Sequence, residues 1–177
     1  MVITISGLPG SGTSTLASRV AAALGLEHLD GGTVFRAMAG ERAMSVVDFS
    51  KLAERDPAFD LELDTRLAAR ARDGGVLLES RLAGWIVTNE SIAALRVWVD
   101  CEDDERAVRV ATREGTDVAA ARAQNRVREE SERLRYRSYY GIDLADRSVY
   151  DLVIDSTSTS PADLVAVVVA AASPQMP

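Results

Sequence analysis

The strongest constraint on the fold lies at the start of the chain. An apolar run, Val2-Ile3-Thr4-Ile5, leads into Gly7-Leu8-Pro9-Gly10-Ser11-Gly12-Thr13-Ser14-Thr15, and from there into the apolar-periodic stretch Thr13–Leu24. In a strand, glycine loop and helix in that order, successive backbone N–H groups curl around an anion and the helix N-terminus adds its partial positive charge. The loop fits the phosphate-binding pattern G-x-x-x-x-G-K-[ST] at every specified position except the lysine, where Thr13 stands. Ser14 takes the place of the hydroxyl that ligates Mg²⁺ in such loops. The alternative is a plain glycine-rich turn, which three glycines followed by Ser-Thr in this context argue against.

The absent lysine matters because that residue neutralises phosphate charge as a phosphoryl group moves. Thr13 offers a hydrogen bond and no charge. Either the chain binds nucleotide without turning it over, or another cation stands in. With 19 arginines and a single lysine, Lys51, the expected substitute is a guanidinium fork.

The rest of the chain supports a layered α/β domain. Four nearly all-apolar runs, Val2–Ser6, Val76–Glu79, Leu95–Asp100 and Tyr150–Asp155, predict strands buried on both faces of a parallel sheet, with Leu26–Leu29 a weaker fifth. Helical spacing lies between them over Thr13–Leu24, Thr33–Ala43, Ser45–Arg55, Ala58–Arg72, Glu102–Arg113 and Asp117–Tyr140. A last helix follows Ser160-Pro161. Strands alternating with helices over 177 residues mean one α/β sandwich. At 47% apolar residues the chain can bury a core without metal or disulfide staples.

Composition also excludes function classes. Twenty basic against 27 acidic residues give a net charge of −7, so no broad basic face for duplex nucleic acid is expected. The apolar run Leu164–Ala172 is too short to span a bilayer, and the chain opens without a signal-peptide pattern, which predicts a cytoplasmic protein. One cysteine, Cys101, and one histidine, His28, exclude a disulfide scaffold and a Cys/His metal cluster. Lone residues of these types are usually core or surface fillers.

Four further segments carry chemistry. In Leu29-Asp30-Gly31-Gly32-Thr33-Val34-Phe35-Arg36 the paired glycines permit close approach of a ligand and Arg36 offers a fork, although a capped surface helix reads the same way. In Val76-Leu77-Leu78-Glu79-Ser80-Arg81-Leu82-Ala83-Gly84-Trp85, Glu79 ends a strand beside the first loop, where a carboxylate holds the water shell of Mg²⁺. Its alternative is a helix cap or an ion pair with Arg81. Arg109 and Arg113 share one helix face, either over a ligand or in solvent beside Asp103, Asp104 and Glu105. Arg128 and Arg135 lie two turns apart on a charged helix that runs on to Tyr139-Tyr140-Gly141-Ile142-Asp143. Asp56, Asp60 and Asp64 repeat at i+4 and are expected on a solvated face.

Together these segments resemble the nucleoside monophosphate kinases, most closely cytidylate kinases of the short archaeal type, from Met1 to about Ala172. In that subfamily the loop reads G-x-P-G-[ST]-G-T-[ST]-[ST], with threonine at the lysine position. The later segments are similar to its L-D-x-G-x-x-[YF]-R, V-[IL]-L-E-[GS]-R-L-A-G-W and R-E-x-S-E-x-x-R-Y-x-x-Y-Y-G-I-D elements. The resemblance implies a P-loop NTPase three-layer sandwich with about five parallel strands, a single domain over 1–177. Within it, 33–72 forms an acceptor-binding lobe and 113–143 a lid. It implies ATP as donor on Gly7, Leu8, Pro9, Gly10, Ser11, Gly12, Thr13, Ser14, Thr15 and Arg109. It places Mg²⁺ on Ser14 and, through water, Glu79, and the acceptor on Asp30, Arg36 and Arg81. Thr13, Arg113, Arg128 and Arg135 are the implied catalytic residues, and CMP or dCMP the implied acceptor.

The broader family often has a small hydroxyl residue where Gly31 stands, so side-chain base recognition is not expected there. Partners are expected to be small-molecule nucleotides, with no nucleic acid, membrane or obligate protein partner evident. Two other readings remain open. One is a kinase for AMP, UMP or a small hydroxylated metabolite; a hydroxyl acceptor would need a general base, for which Asp30 is the only well-placed candidate. The other is a nucleotide-binding sensor.

Overall fold

A computed structural model describes residues 1–173. In chain order the elements are β1 (Val2–Gly7), α1 (Thr13–Leu24), β2 (Glu27–Asp30), α2 (Gly31–Glu41), α3 (Val46–Ala53), α4 (Ala58–Arg72), β3 (Val76–Glu79), α5 (Ala83–Asn89), β4 (Leu95–Asp100), α6 (Asp103–Glu114), α7 (Val118–Tyr140), β5 (Leu152–Asp155) and α8 (Pro161–Ala172). The five strands form one sheet in the order β2-β3-β1-β4-β5, with every pairing parallel. The expected α/β sandwich is the fold observed.

The layers follow from strand periodicity. Ile3 and Ile5 of β1 share one face with Leu77, Val97 and Val99 and pack under α1 and α8 through Leu16, Val20, Leu164 and Val168. Val2 and the β3 residues Val76 and Leu78 face the other way, onto Leu67 and Ala71 of α4 and onto Ile86 and Val87 of α5. Tyr136 and Ile142 bring the end of α7 into this second layer. A smaller cluster of Met38, Phe49, Phe35 and Phe59 holds α2, α3 and α4 together, with the Phe35 and Phe49 rings 4.7 Å apart.

Two expectations change. The run Tyr150–Asp155 is not buried on both faces: β5 starts at Leu152 and is the sheet edge, where only Ile154 is buried. Tyr150 instead packs against Gly84, where a Cβ would fall 2.4 Å from its ring. Asp60 and Asp64 do not decorate a solvated face. Asp60 is buried and Asp64 largely so, because helix α7 covers that side of α4. Asp56 is exposed as expected and accepts from the Ala58 amide at the start of α4. Among the described residues, no helix is long and apolar enough to cross a membrane.

Candidate active site

The sheet sets the positions of the first functional groups. Parallel register pairs Ile5 with Glu79 and Asp30 with Glu79, so the C-terminal ends of β1, β3 and β2 lie level. The glycine loop leaves β1 at that edge. Gly10 and Gly12 have φ values of 83° and 87°, a region costly for residues with a Cβ. A Cβ on Gly7 would sit 2.8 Å from the Val99 carbonyl oxygen, and one on Gly10 would sit 2.6 Å from that of Arg106. The loop thus reaches α1 in a curl that only glycine permits, and the first-turn amides of α1 have no intrahelical acceptor.

Glu79 closes this corner. Its Oε1 accepts from the Thr13 hydroxyl at 2.9 Å and from the Ser14 hydroxyl at 2.6 Å. Its Oε2 lies 2.9 Å from His28 Nε2. Glu79 is therefore neither a helix cap nor the partner of Arg81. Ser14 and Glu79 supply hard oxygen donors, and among the described residues no group of three or more His, Cys, Asp or Glu side chains is placed to hold a metal ion. Such a sparse set suits Mg²⁺, which keeps several waters and binds substrate phosphates rather than an all-protein cage.

The arginines divide into anchors and reachers. Arg81 is largely buried; its Nη1 donates to the Gly7 carbonyl at 2.8 Å and its Nε to Glu132 at 2.9 Å. Arg106, which sequence reasoning missed, is buried and donates to the Pro9 carbonyl at 3.1 Å, to Asp103 and to Glu129. Two guanidinium groups thus tie the carbonyls of Gly7 and Pro9 to two glutamates one turn apart on α7. Burial pushes the Glu132 carboxyl up, but the charges of Arg81 and Arg128 outweigh it and hold that group below the ordinary glutamate value.

Arg128 gives only its Nε to Glu132. Arg135 Nη1 spans both oxygens of Asp60, at 3.1 and 2.8 Å. Arg36 bonds the Thr33 hydroxyl at 2.7 Å and Asp30 at 3.3 Å. Arg109 donates to the Ser156 carbonyl at 2.6 Å and to Glu105, pinning the loop after β5. Arg113 is exposed and bonds its neighbour Glu114.

A cleft of about 1010 Å³ opens between these elements. Its wall brings together Gly7 to Gly10, Thr13, Ser14, Asp30, Arg36, Glu79, Arg81, Arg113, Arg128 and Arg135. Ser11, Gly12, Thr15 and Arg109 are not on that wall. At one side a recess of about 30 Å³ is bounded by Asp60, Asp64, Ser80, Tyr136 and Tyr140. The Ser80 and Tyr140 hydroxyls on its wall are buried without a hydrogen-bond partner, as is Nε of Arg135 on the wall of the larger cleft. Burial pushes Asp60 up against the pull of Arg135. Burial also pushes Asp64 up, to about 6, despite the nearby Tyr140 hydroxyl.

Asp30 has a different task from the one a hydroxyl acceptor would require. Its carboxylate caps α2, accepting from the amides of Gly32 and Thr33 and from the Thr33 hydroxyl. Burial pushes it up, yet these bonds and Arg36 hold it below the ordinary aspartate value. A carboxylate so occupied is a poor proton acceptor.

The comparisons with known proteins agree along the whole chain. Residues 2–158 match the cytidylate kinase-like family. The chain belongs to that family. A cytidylate kinase of Methanopyrus kandleri is 45% identical over 181 residues, covering 98% of this chain and 94% of its own. One from Pyrococcus horikoshii is 46% identical over 171 residues, covering 97% and 88%. Solved structures agree in fold: a shikimate kinase from Bacteroides thetaiotaomicron superposes with a TM-score of 0.66 at 12% identity, over 95% of this chain and 96% of its own. A gluconokinase from Sinorhizobium meliloti gives 0.65 at 13%, over 98% and 92%. The cytidylate kinase-like match spans the glycine loop, Glu79 and helix α7, so each charged group described above lies inside it.

Proposed function

We propose that this protein transfers the γ-phosphoryl group of ATP to CMP or dCMP, yielding ADP and the corresponding diphosphate. The observation that carries the reading is the junction of Thr13, Ser14 and Glu79 at the head of an arginine-lined cleft, in a chain about 45% identical to cytidylate kinases over nearly its full length. The acceptor phosphate is itself the nucleophile and is ionised at neutral pH, so no general base is needed. The capping role of Asp30 fits that requirement.

In this reading the amides of Gly10 to Ser14 cradle the donor phosphates, and the loop from Gly7 to Thr15, with Arg109 behind it, shapes the donor site. Ser14 holds Mg²⁺ directly and Glu79 holds it through water. The ion, when bound, shields the charge on the β- and γ-oxygens. Arg36 and Arg81 take the acceptor phosphate. Arg113, Arg128 and Arg135 close with the lid, 113–143, onto the lobe 33–72 and supply the charge that Thr13 does not. Closure excludes water, so the nucleotide takes the phosphoryl group. The cleft wall beside the recess reads the base: the Asp60 carboxylate accepts from an exocyclic amino group, while the Ser80 hydroxyl donates to the ring. That pattern fits cytosine and disfavours uracil, whose O4 would face the carboxylate.

The whole chain acts as one kinase domain in the cytoplasm on free nucleotides, without nucleic acid, membrane or an obligate protein partner. The test is ADP release with ATP and Mg²⁺ against CMP, dCMP, UMP, AMP and a hydroxylated metabolite. Fast turnover with CMP or dCMP alone is the expected result. ATP binding without acceptor-stimulated turnover would leave a sensor.

A further inference from the structure

The one histidine of the chain is unaccounted for by the roles above. His28 sits on the edge strand β2, paired in register with Leu77. Its side chain is one-quarter exposed, yet Nε2 lies 2.9 Å from Oε2 of Glu79, which is buried. A carboxylate only accepts, so the ring nitrogen facing it carries the proton and donates. Glu79 is thereby held at both oxygens by three side chains from two elements: Thr13 and Ser14 of α1 on Oε1, and His28 of β2 on Oε2.

The two sides are not equivalent. The Ser14 hydroxyl must turn from Glu79 if it is to ligate a metal ion, since its proton now points at the carboxylate. When that bond is given up, Thr13 and His28 are the two remaining donors that fix the carboxylate plane. Thr13 grips one oxygen alone, which leaves rotation about the terminal torsion of Glu79 open. The bond from His28 to the other oxygen removes that freedom. Outer-shell donors of this kind set the orientation of a group that meets a metal, and their loss costs about 10–100-fold in metal affinity or activity.

We infer that His28 is a positioning residue for the metal–nucleotide complex: it locks the Glu79 carboxylate in the orientation that receives the water shell of a divalent ion, in a loop where threonine replaces lysine. The inference rests on the proposed placement of Mg²⁺ beside Ser14 and Glu79, and involves no titration of the ring. It also names a division of labour, with Thr13 and His28 as fixed donors and Ser14 as the movable one.

The experiment uses the full-length protein and Mn²⁺ as probe. Free Mn²⁺ is measured by electron paramagnetic resonance in the presence of ADP, alongside steady-state kinetics with CMP and a thermal melt. His28→Leu is expected to weaken Mn²⁺ binding to the ADP complex about tenfold and to lower kcat by a similar factor, leaving KM for CMP within twofold. His28→Gln, which keeps a side-chain N–H at comparable reach, is expected to restore Mn²⁺ affinity to within about twofold of the parent. Unchanged Mn²⁺ affinity in His28→Leu overturns the inference. If that variant does not fold, His28→Asn and His28→Gln decide: the shorter amide must bind Mn²⁺ more weakly than the longer one, and equal affinities refute the role. Because the Mn²⁺·ADP measurement involves no acceptor, it stands if CMP proves the wrong substrate. Wild-type turnover with CMP beside an unaffected His28→Leu would sink this inference alone.

Discussion

The Thr13 hydroxyl lies 2.9 Å from Glu79, on the same carboxylate oxygen that takes Ser14. A lysine at this position would bring a charge to the phosphates; threonine instead joins the loop to the end of β3. The loss of charge is accompanied by a gain in rigidity, and two buried arginines, Arg81 and Arg106, fix the loop's carbonyl side. Thr13→Val removes the bond with almost no change in shape. The expected result is a fall in kcat of about tenfold, the worth of one well-placed hydrogen bond, with KM for ATP within about threefold. A kcat within twofold of the parent would show that Thr13 fills space only.

The α7 arginines Arg128 and Arg135 should separate by their present partners. The Nη groups of Arg128 make no hydrogen bond among the described residues and its side chain is 61% exposed, so it can reach a transferring phosphoryl group. Arg135 is held by Asp60 at the edge of the recess. Arg128→Ala is expected to lower kcat about 100-fold with little change in KM for CMP, as removal of a transition-state charge donor does. Arg135→Ala is expected to lower kcat by a similar factor and to raise KM for CMP as well, since it also frees Asp60. Steady-state kinetics at saturating ATP check both, and near-normal turnover in either variant would remove that arginine from catalysis.

What the sequence revealed and what it concealed divide along local and distant pairings. The glycine loop and β3 were legible because their signals lie in consecutive residues: all of Val2–Gly7 and Val76–Glu79 is buried, as apolar runs predict. Tyr150–Asp155 looked the same in composition, yet it lies at the sheet edge, a property of strand order rather than of its own residues. Ala83–Asn89 escaped notice because seven residues are too few to display a helical period. The Asp60 repeat looked solvated because its cover, Arg135, comes 75 positions later, and Glu132 lies 51 positions from Arg81. His28 was read as filler because a single residue has no spacing to interpret.

Asp60 offers a test of acceptor choice. An aspartate presents only acceptors, whereas asparagine presents one donor and one acceptor in the same shape. Asp60→Asn should therefore lower kcat/KM for CMP by about 10–100-fold, while kcat/KM for UMP falls less or rises, narrowing the preference between them. The measurement is kcat/KM for both nucleotides in parent and variant, with a melt to confirm folding. An equal proportional loss for CMP and UMP would move base selection away from the Asp60 wall of the cleft.

Asp64 carries a pH dependence of stability. Burial pushes its carboxyl from the ordinary aspartate value of 3.8 to about 6, helped by the charge of Asp60 and opposed by the Tyr140 hydroxyl. The folded chain therefore binds this proton more tightly than the unfolded chain, and stability falls as pH rises from about 4 to about 6. Above that window the buried charge costs up to about 3 kcal/mol, the full shift at about 1.4 kcal/mol per unit. Below pH 4 both states are protonated and the cost vanishes. Asp64→Asn keeps the shape without the charge, so it should stabilise the protein at pH 8 and have little effect at pH 4. Urea unfolding of parent and variant at the two pH values gives the comparison; an equal difference at both would mean that the Asp64 carboxyl titrates alike in the folded and unfolded chain.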